Sequence, residues 1–122
     1  MMNADNNLRQ RTKAFALRIV RMDSALPHSR AANVLGNQVL RSGTSVGAQY
    51  REACRSRSVA EFISKMESCI QELDETDYWL ELLADGGIVR PKRLVDLRQE
   101  TDELIAIFTA SVKTAKGNRG PK

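Results

Sequence analysis

Arginine is the residue type whose spacing offers this 122-residue chain its most definite chemistry. Seven arginines of the first half fall on two helical stripes: Arg11, Arg18, Arg21, Arg30, Arg41, Arg51 and Arg55. On a helical wheel the last four lie well away from the apolar side of their helix. The planar guanidinium binds phosphate oxygens through two parallel hydrogen bonds. The stripes therefore favour binding to a nucleic-acid backbone, and because no aromatic residues interleave with them, we predict little base stacking or sequence preference.

The same arginines also have a structural interpretation, because the acidic residues lie in another part of the chain. Residues 1–57 hold 10 Lys and Arg against 3 Asp and Glu, whereas residues 58–110 hold 5 against 12. Residues 111–122 add four basic residues and no acidic one, and the net charge is +4. Opposite halves of this kind can neutralise each other within or between subunits, attract an anionic partner, or do both.

One ion-pair network is predicted beside the small residues Gly43–Gly47, where the second and third helices should approach most closely. The residues of this predicted structural network are Arg41, Arg51, Glu52, Asp74, Asp77 and Glu81. Breaking a buried pair of charges is costly, so such a network would fix the register between two helices. This hypothesis competes with nucleic-acid binding for Arg41 and Arg51.

Catalytic and metal chemistry find little support in the sequence. Arg21 and His28 form an R-x6-H pattern that resembles the catalytic pair of a helical ribonuclease superfamily, but Pro27 places the histidine in a turn. His28, Cys54 and Cys69 are too few for a zinc site, which needs about four ligands. We therefore predict no enzyme activity, no metal and no cofactor, and keep the ribonuclease as a remote alternative.

Four helical segments are predicted to carry these side chains. Apolar residues recur at intervals of three, four and seven, which indicates one buried stripe on each helix. The predicted helices span about residues 5–26, 29–56, 58–85 and 91–115, and residues 116–122 form a flexible basic tail. Short connections make consecutive helices antiparallel. The fold class is therefore all-α, with residues 1–115 forming one up-down four-helix bundle.

The predicted helix ends follow from residues that cap or stop a helix. Pro27 stops the first helix and Ser29 caps the second, while Ser58 and Glu61 form a capping box for the third. Gly86 is expected to adopt the left-handed conformation that ends the third helix. Within the second helix, the competing possibilities at Gly43–Gly47 are close helix packing and a kink near residues 42–45.

Three sequence stretches resemble one bacterial family of four-helix-bundle proteins. They are the run 41–53 (RSGTSVGAQYREA), the run 58–62 (SVAEF) and the run 75–86 (ETDYWLELLADG). The family includes proteins encoded in intervening sequences of large-subunit ribosomal RNA, and a related branch is the accessory variability protein of diversity-generating retroelements. The resemblance implies a ring-like homopentamer with a basic surface. In the retroelement branch it also implies binding of nucleic acid and of a reverse transcriptase.

Trp79 and Leu82 are the candidate contacts for such an oligomer, because both fall outside the main apolar stripe of the third helix. Interface cores favour aromatic residues. The alternative is that the bundle itself covers Trp79.

The sequence thus predicts a non-enzymatic, cytoplasmic, oligomeric helical scaffold that binds RNA or DNA, or a nucleic-acid-handling protein, and has no membrane segment. No stretch approaches the roughly 20 apolar residues of a membrane span. The first alternative is a protein-binding adaptor whose arginines are purely structural.

Overall fold

The computed structural model describes residues 4–119, and the side chains of residues 7–118. Four helices follow one another in this part of the chain, which has no strand: α1 (Ala4–Ser24), α2 (Arg30–Cys54), α3 (Val59–Asp85) and α4 (Pro91–Arg119). Consecutive helices pack against each other, and α1 also touches α4. The result is an all-α, up-down four-helix arrangement.

The core is built from the apolar stripes that the sequence spacing indicates. Its largest fully buried side chains include Phe15 of α1, Val39 and Val46 of α2, Leu73 and Leu80 of α3, and Leu104 and Phe108 of α4. Burial of each such side chain contributes roughly 1.5–3 kcal/mol of hydrophobic free energy. Because every helix presents one stripe to this core, the rest of its surface faces solvent or the flank of a neighbouring helix, and the candidate arginines lie outside the core.

The end of α1 and the start of α2 lie close to the predicted residues. The regular part of α1 stops at Ser24, and its last turn continues through hydrogen bonds from the amides of Ala25 and Leu26 to Met22 and Asp23. Ser29 caps α2, since its hydroxyl accepts a hydrogen bond from the Ala32 amide at 3.2 Å. The cap satisfies an amide that has no partner within the helix.

The glycines of α2 face α1, which corrects the expectation that they would lie between the second and third helices. The helix passes through residues 42–45 without a break. A Cβ atom on Gly43 would lie 2.8 Å from Cγ1 of Ile19, and one on Gly47 would lie 3.2 Å from the Thr12 hydroxyl oxygen. A larger residue at position 43 would collide with Ile19, whereas one at position 47 would press tightly against Thr12.

Hydroxyl and thiol groups, rather than glycines, line the contact between α2 and α3. The Ser42 and Thr76 hydroxyl oxygens are 2.7 Å apart in the core, and both residues are fully buried. One turn farther along α2, the Val46 carbonyl oxygen accepts a hydrogen bond from the Cys69 thiol of α3 at 3.6 Å. Small polar side chains that are hydrogen-bonded can be buried at little cost.

Both ends of α3 differ from the predictions in detail. At its start the Ser58 hydroxyl accepts from the Glu61 amide at 3.0 Å, but the Glu61 carboxylate accepts from the amide of Arg57, one residue before the cap. At its end Gly87, not Gly86, has the left-handed backbone, with φ of 75°. Gly86 remains right-handed, with φ of −79°, because its amide still bonds to the Leu82 carbonyl oxygen.

The last helix continues beyond the predicted bundle and into the predicted tail. α4 reaches Arg119 rather than residue 115, and the Lys116 ammonium lies 3.2 Å from the Glu67 carboxylate of α3. Residues 116–119 are therefore helical rather than a flexible tail, because Gly117 alone does not interrupt a helix that is already nucleated. The rest of the predicted tail, residues 120–122, lies outside the described residues.

None of the four helices, over the residues that the structure describes, combines the length and the apolar character that crossing a membrane requires.

Candidate nucleic-acid interface

The seven candidate arginines lie on the outer sides of α1 and α2. Five of them are exposed and two are partly covered. The exposed ones are Arg21, Arg30, Arg41, Arg51 and Arg55, and the partly covered ones are Arg11 and Arg18. They differ in their availability to a partner, because some of them are bonded to carboxylates of an adjacent helix and others are not.

Arg11 is bound to two acidic residues of α4. Its guanidinium donates to the two carboxylate oxygens of Glu100 at 2.9 and 2.8 Å, and also to Glu103 at 2.7 Å. The hydrogen bond to Glu100 is the main reason that the pKa of Arg11 is raised above its ordinary value, although partial burial acts in the opposite direction. This arginine connects α1 to α4 and is not freely available to phosphate.

Arg41 is bound to α3, but through different carboxylates from those predicted. Its guanidinium donates to Glu75 at 2.6 Å and to Glu72 at 3.4 Å. The pKa of Arg41 is raised, chiefly by the hydrogen bond to Glu75. Glu72 also accepts from the side-chain amide of Gln49 at 3.3 Å, so two residues about two turns apart on α2 share one carboxylate.

The predicted ion-pair network is therefore replaced by separate pairs. Asp77 accepts from Arg98 of α4 at 3.1 Å, and Glu52 accepts from Lys65 at 2.8 Å. Asp74 and Glu81 are exposed and form no ion pair within the described residues, and Arg51 has none there either. The reason is rotational: Glu72 and Glu75 lie on the side of α3 that faces α2, whereas Asp77 lies on the side that faces α4.

Five candidate arginines have no ion pair or side-chain hydrogen bond to any residue in the described part of the chain. They are Arg18, Arg21, Arg30, Arg51 and Arg55. Arg51 borders a shallow groove between α1 and α2, together with Lys13 and Gly47. Their positive charge is thus not neutralised by a contacting acid, and an anionic partner could approach it.

Two further arginines belong to this set but were not identified from the sequence. Arg90 and Arg93 line one groove with Arg21, at the end of the bundle where α1 finishes and α4 begins. Neither has an ion pair with a described residue. The sequence contained two indications of this arrangement. The segment 90–93 (RPKR) is strongly basic, and an up-down bundle brings the end of α1 and the start of α4 to the same end of the molecule.

The two candidate interface residues are both half-buried. Trp79 packs against the edge of the core, and its ring lies 5.1 Å from that of Tyr78, which is exposed. The indole Nε1 of Trp79 is shielded from solvent and has no hydrogen-bond partner among the described residues. Leu82 is half-buried, and self-association through the two residues stays a prediction.

Arg21 and His28 line two different grooves. The Arg21 groove includes Met22 and Arg90, whereas His28 borders a neighbouring one with Asp23 and Asn33. No cluster of three or more His, Cys, Asp or Glu residues within the described ranges is arranged to hold a metal ion.

Comparison with known proteins identifies a family and similar solved structures. Residues 4–110 match the family model described as 23S rRNA-intervening sequence protein. The chain is also similar to a protein of Bacteroides thetaiotaomicron VPI-5482, a protein with unknown function from the S23 ribosomal protein family, whose crystal structure was determined at 1.70 Å resolution. The two are 34% identical with a TM-score of 0.84, over 89% of this chain and 97% of that one. The curated proteins contain no match.

Proposed function

The chain belongs to the 23S rRNA-intervening sequence protein family, and from this premise we propose that it is a non-enzymatic helical scaffold whose basic surface binds nucleic acid. The contacts would be made to the phosphate backbone, and a nucleic-acid-handling protein such as a reverse transcriptase would be a second partner for the same surface. We place this activity in the bacterial cytoplasm.

The observation that carries the proposal is the set of arginines without acidic partners. Arg21, Arg30, Arg51 and Arg55 are exposed and unpaired within the described residues, although the chain contains 15 acidic residues that could have neutralised them. A structural arginine needs a carboxylate or a carbonyl group to bind. Unpaired guanidinium groups attract phosphates, and each neutralised phosphate releases counterions.

The chemistry of the surface favours contact with the backbone over contact with the bases. Apart from Lys13, the residues around Arg51 in its groove are small, with Thr12, Ala16 and Ala48 among them. Base stacking in single-stranded complexes uses aromatic side chains, and none lies in this groove. We therefore expect weak dependence on sequence and strong dependence on salt.

Self-association would multiply these contacts. We propose a ring-like homo-oligomer, a pentamer, in which identical basic surfaces bind neighbouring phosphates of one nucleic acid. Several weak sites on one particle gain affinity through their high effective concentration. The half-buried Trp79 and Leu82 support an interface on this side of α3, because each leaves apolar surface outside the core that a second subunit could cover.

Binding can be tested with a fluorescent structured RNA and a duplex DNA, each titrated with the protein across a salt series. We expect binding of both nucleic acids, with a steep loss of affinity as salt increases. The variant Arg51→Glu/Arg55→Glu should lose at least tenfold in affinity at low salt. The matched control is Lys113→Glu/Lys116→Glu, which changes the net charge equally but alters exposed residues of α4.

Equal losses in the two variants would show that only net charge matters and would contradict a binding surface on α2. Absence of binding at low salt would refute nucleic-acid binding altogether. The protein-binding adaptor would then be the better proposal, and it draws its support from Arg11 and Arg41, whose guanidinium groups are already occupied by carboxylates.

The oligomer can be tested separately by light scattering. We expect Leu82→Lys to reduce the particle mass to that of a smaller species. Val95→Lys, at an exposed residue of α4, should leave the mass unchanged. A protein that is monomeric at high concentration would contradict the ring.

The remote ribonuclease alternative predicts that the RNA is cleaved and not merely bound. Cleavage of the RNA during the binding assay, lost in His28→Ala, would support it. The separate grooves of Arg21 and His28 argue for intact RNA throughout.

A further inference from the structure

An open groove lies at the end of the bundle, between the last turn of α1 and the connection from α3 to α4. We call it the end groove. Arg21, Arg90 and Arg93 line it together with the aliphatic residues Leu26, Ile88 and Val89. Its volume of about 590 Å³ falls in the range of small-ligand sites, roughly 300–1,000 Å³.

The cations of the end groove have no counterion in the described part of the chain. No acidic residue lines the groove, and none of its three arginines forms an ion pair there. Three like charges around one concave surface repel one another. An anion bound among them would remove this repulsion.

The start of α4 adds to the positive potential. Its first turn contains no acidic residue, and Arg90, Lys92 and Arg93 surround it. Helix N-termini carry partial positive charge and are stabilised by acidic residues, so basic residues at this end oppose the ordinary preference. The arrangement suits an anionic ligand, which both the partial positive charge of the helix start and the guanidinium groups would attract.

The connection that forms one side of the groove is held in place by its own hydrogen bonds. The amides of Ile88 and Val89 both donate to the Leu83 carbonyl oxygen, at 3.0 and 3.1 Å. Gly87 supplies the positive φ that this turn requires. The aliphatic wall is therefore present before a ligand arrives, which reduces the entropy lost on binding.

The combination of arginines and aliphatic wall selects a ligand with both charge and apolar surface. Ile88, Val89 and Leu26 are half-buried, so each still exposes apolar atoms to the groove. Inorganic phosphate would use only the arginines. A nucleotide would also cover the aliphatic wall with its sugar and base, and guanidinium planes can stack on the base.

We propose that the end groove binds one unstacked nucleotide of single-stranded nucleic acid, with its phosphate against Arg21, Arg90 and Arg93. This proposal rests on the proposed function, since it assigns one subsite within the nucleic-acid surface. Bases of a duplex are stacked and paired, and releasing one costs a few kcal/mol. The end groove therefore gives the protein a preference for single-stranded ends, loops or bulges.

The test uses adenosine 5′-monophosphate and inorganic phosphate as probes, with methyl NMR signals of Leu26, Ile88 and Val89 as the readout. We expect the nucleotide to shift these signals and to bind at least tenfold more tightly than phosphate. The variant Arg90→Gln/Arg93→Gln should weaken nucleotide binding at least tenfold. Lys113→Gln/Lys116→Gln is the matched control, because it removes two exposed positive charges of α4 outside the groove and should leave the affinity unchanged.

Each contrary result overturns the proposal. Unmoved methyl signals, undiminished binding in Arg90→Gln/Arg93→Gln, or phosphate binding as tight as nucleotide binding would each exclude the nucleotide subsite. Melting curves of the variants establish that they fold, and Val89→Ser tests the wall without altering charge. It should weaken nucleotide binding more than phosphate binding.

Titration with single-stranded and duplex RNA separates this proposal from the broader one. Binding of RNA without any effect of the nucleotide on the end groove would refute the groove and retain the scaffold. Nucleotide binding in the groove without RNA binding would refute the scaffold and would make the groove a site for free nucleotides rather than for a nucleic-acid strand. Equal affinity for both RNA forms would contradict the single-strand preference.

Discussion

The guanidinium of Arg11 on α1 and the carboxylate of Glu100 on α4 are joined by two hydrogen bonds, of 2.9 and 2.8 Å. This bidentate pair spans the two helices that are most distant in the chain. The backbones of α1 and α4 approach each other in few places, unlike those of the other neighbouring helices. The pair is therefore a principal polar connection that closes the bundle.

Removing the Arg11–Glu100 pair should destabilise the protein measurably. Hydrogen bonds to charged groups contribute about 1.5–3 kcal/mol when buried, but the Arg11 side chain is 29% exposed and solvent reduces the value. We expect a double-mutant cycle with Arg11→Ala and Glu100→Ala to give a coupling energy of about 1 kcal/mol in urea unfolding. Arg18→Ala, which removes an unpaired arginine of the same helix, should change the free energy of unfolding by less than about 0.5 kcal/mol. Zero coupling would show that the pair contributes nothing to stability.

Gly43→Ala should destabilise the contact between α1 and α2. The new Cβ would lie 2.8 to 3.2 Å from three carbon atoms of Ile19, which is itself fully buried and cannot move freely. Overpacking of this kind costs about 1–3 kcal/mol. The control is Gly117→Ala in α4, where the added Cβ meets no atom within 4 Å and helix propensity favours alanine by up to about 1 kcal/mol. Thermal unfolding should therefore show opposite shifts, and a stabilising Gly43→Ala would contradict the close approach.

Cys69 should make the protein less stable at alkaline pH. Burial raises the pKa of the Cys69 thiol from 9.0 to about 12, because the charged thiolate loses its hydration. Between these two values the unfolded chain releases the thiol proton while the folded chain retains it, so the free energy of unfolding falls as pH rises. The slope for one such group is at most about 1.4 kcal/mol per pH unit. Comparison with Cys69→Ala isolates this slope, and identical pH profiles would contradict the raised pKa.

The two cysteines should also differ in reactivity at pH 8. Cys54 is exposed and Cys69 is buried, and neither forms a disulfide. Alkylating reagents attack the thiolate, so the raised pKa and the burial both protect Cys69. We expect one modified cysteine per folded chain and two after denaturation, measured by mass spectrometry. Rapid modification of both in the folded protein would show that the core opens readily.

Arg51 and Arg41 should contribute differently to nucleic-acid binding, although both are exposed residues of α2. Arg51 has no acidic partner in the described part of the chain, whereas Arg41 already binds Glu75 and Glu72. If Arg51 contacts a phosphate of duplex DNA, Arg51→Gln should reduce the slope of log K against log salt by about 0.9. Arg41→Gln should change the slope less. A larger effect of Arg41→Gln would indicate that Glu72 and Glu75 release the Arg41 guanidinium when nucleic acid binds.

The helices were predictable because their determinants are local. The caps at Ser29 and Ser58 and the apolar intervals that bury Phe15, Leu73 and Leu104 depend on residues within a few positions of one another. The details that escaped prediction depend on small energy differences between neighbouring residues. Gly87 rather than Gly86 takes the positive φ, and α4 continues past residue 115 because one glycine in an established helix costs only about 1 kcal/mol.

The candidate site was only partly predictable. The sequence indicated which arginines lie opposite the core, but not which of them meet a carboxylate. Arg41 binds Glu75 and Glu72 rather than the predicted Asp74, Asp77 or Glu81, since a rotation of α3 by a fraction of a turn changes the partner. Arg90 and Arg93 were missed because they lie about 70 residues from Arg21 in the chain, and only the antiparallel packing of α1 and α4 makes them neighbours.

The sequence by itself determined the helical class, the order and approximate length of the helices, and the opposition of a basic first half to an acidic second half. Helix periodicity and capping depend on residues that are close together in the chain, so a single sequence is enough to predict them. Only the tertiary structure decided which charges are neutralised and which remain open to a partner. That outcome depends on the rotation and register of one helix against another, and packing sets both through contacts such as Gly43 with Ile19 and Ser42 with Thr76.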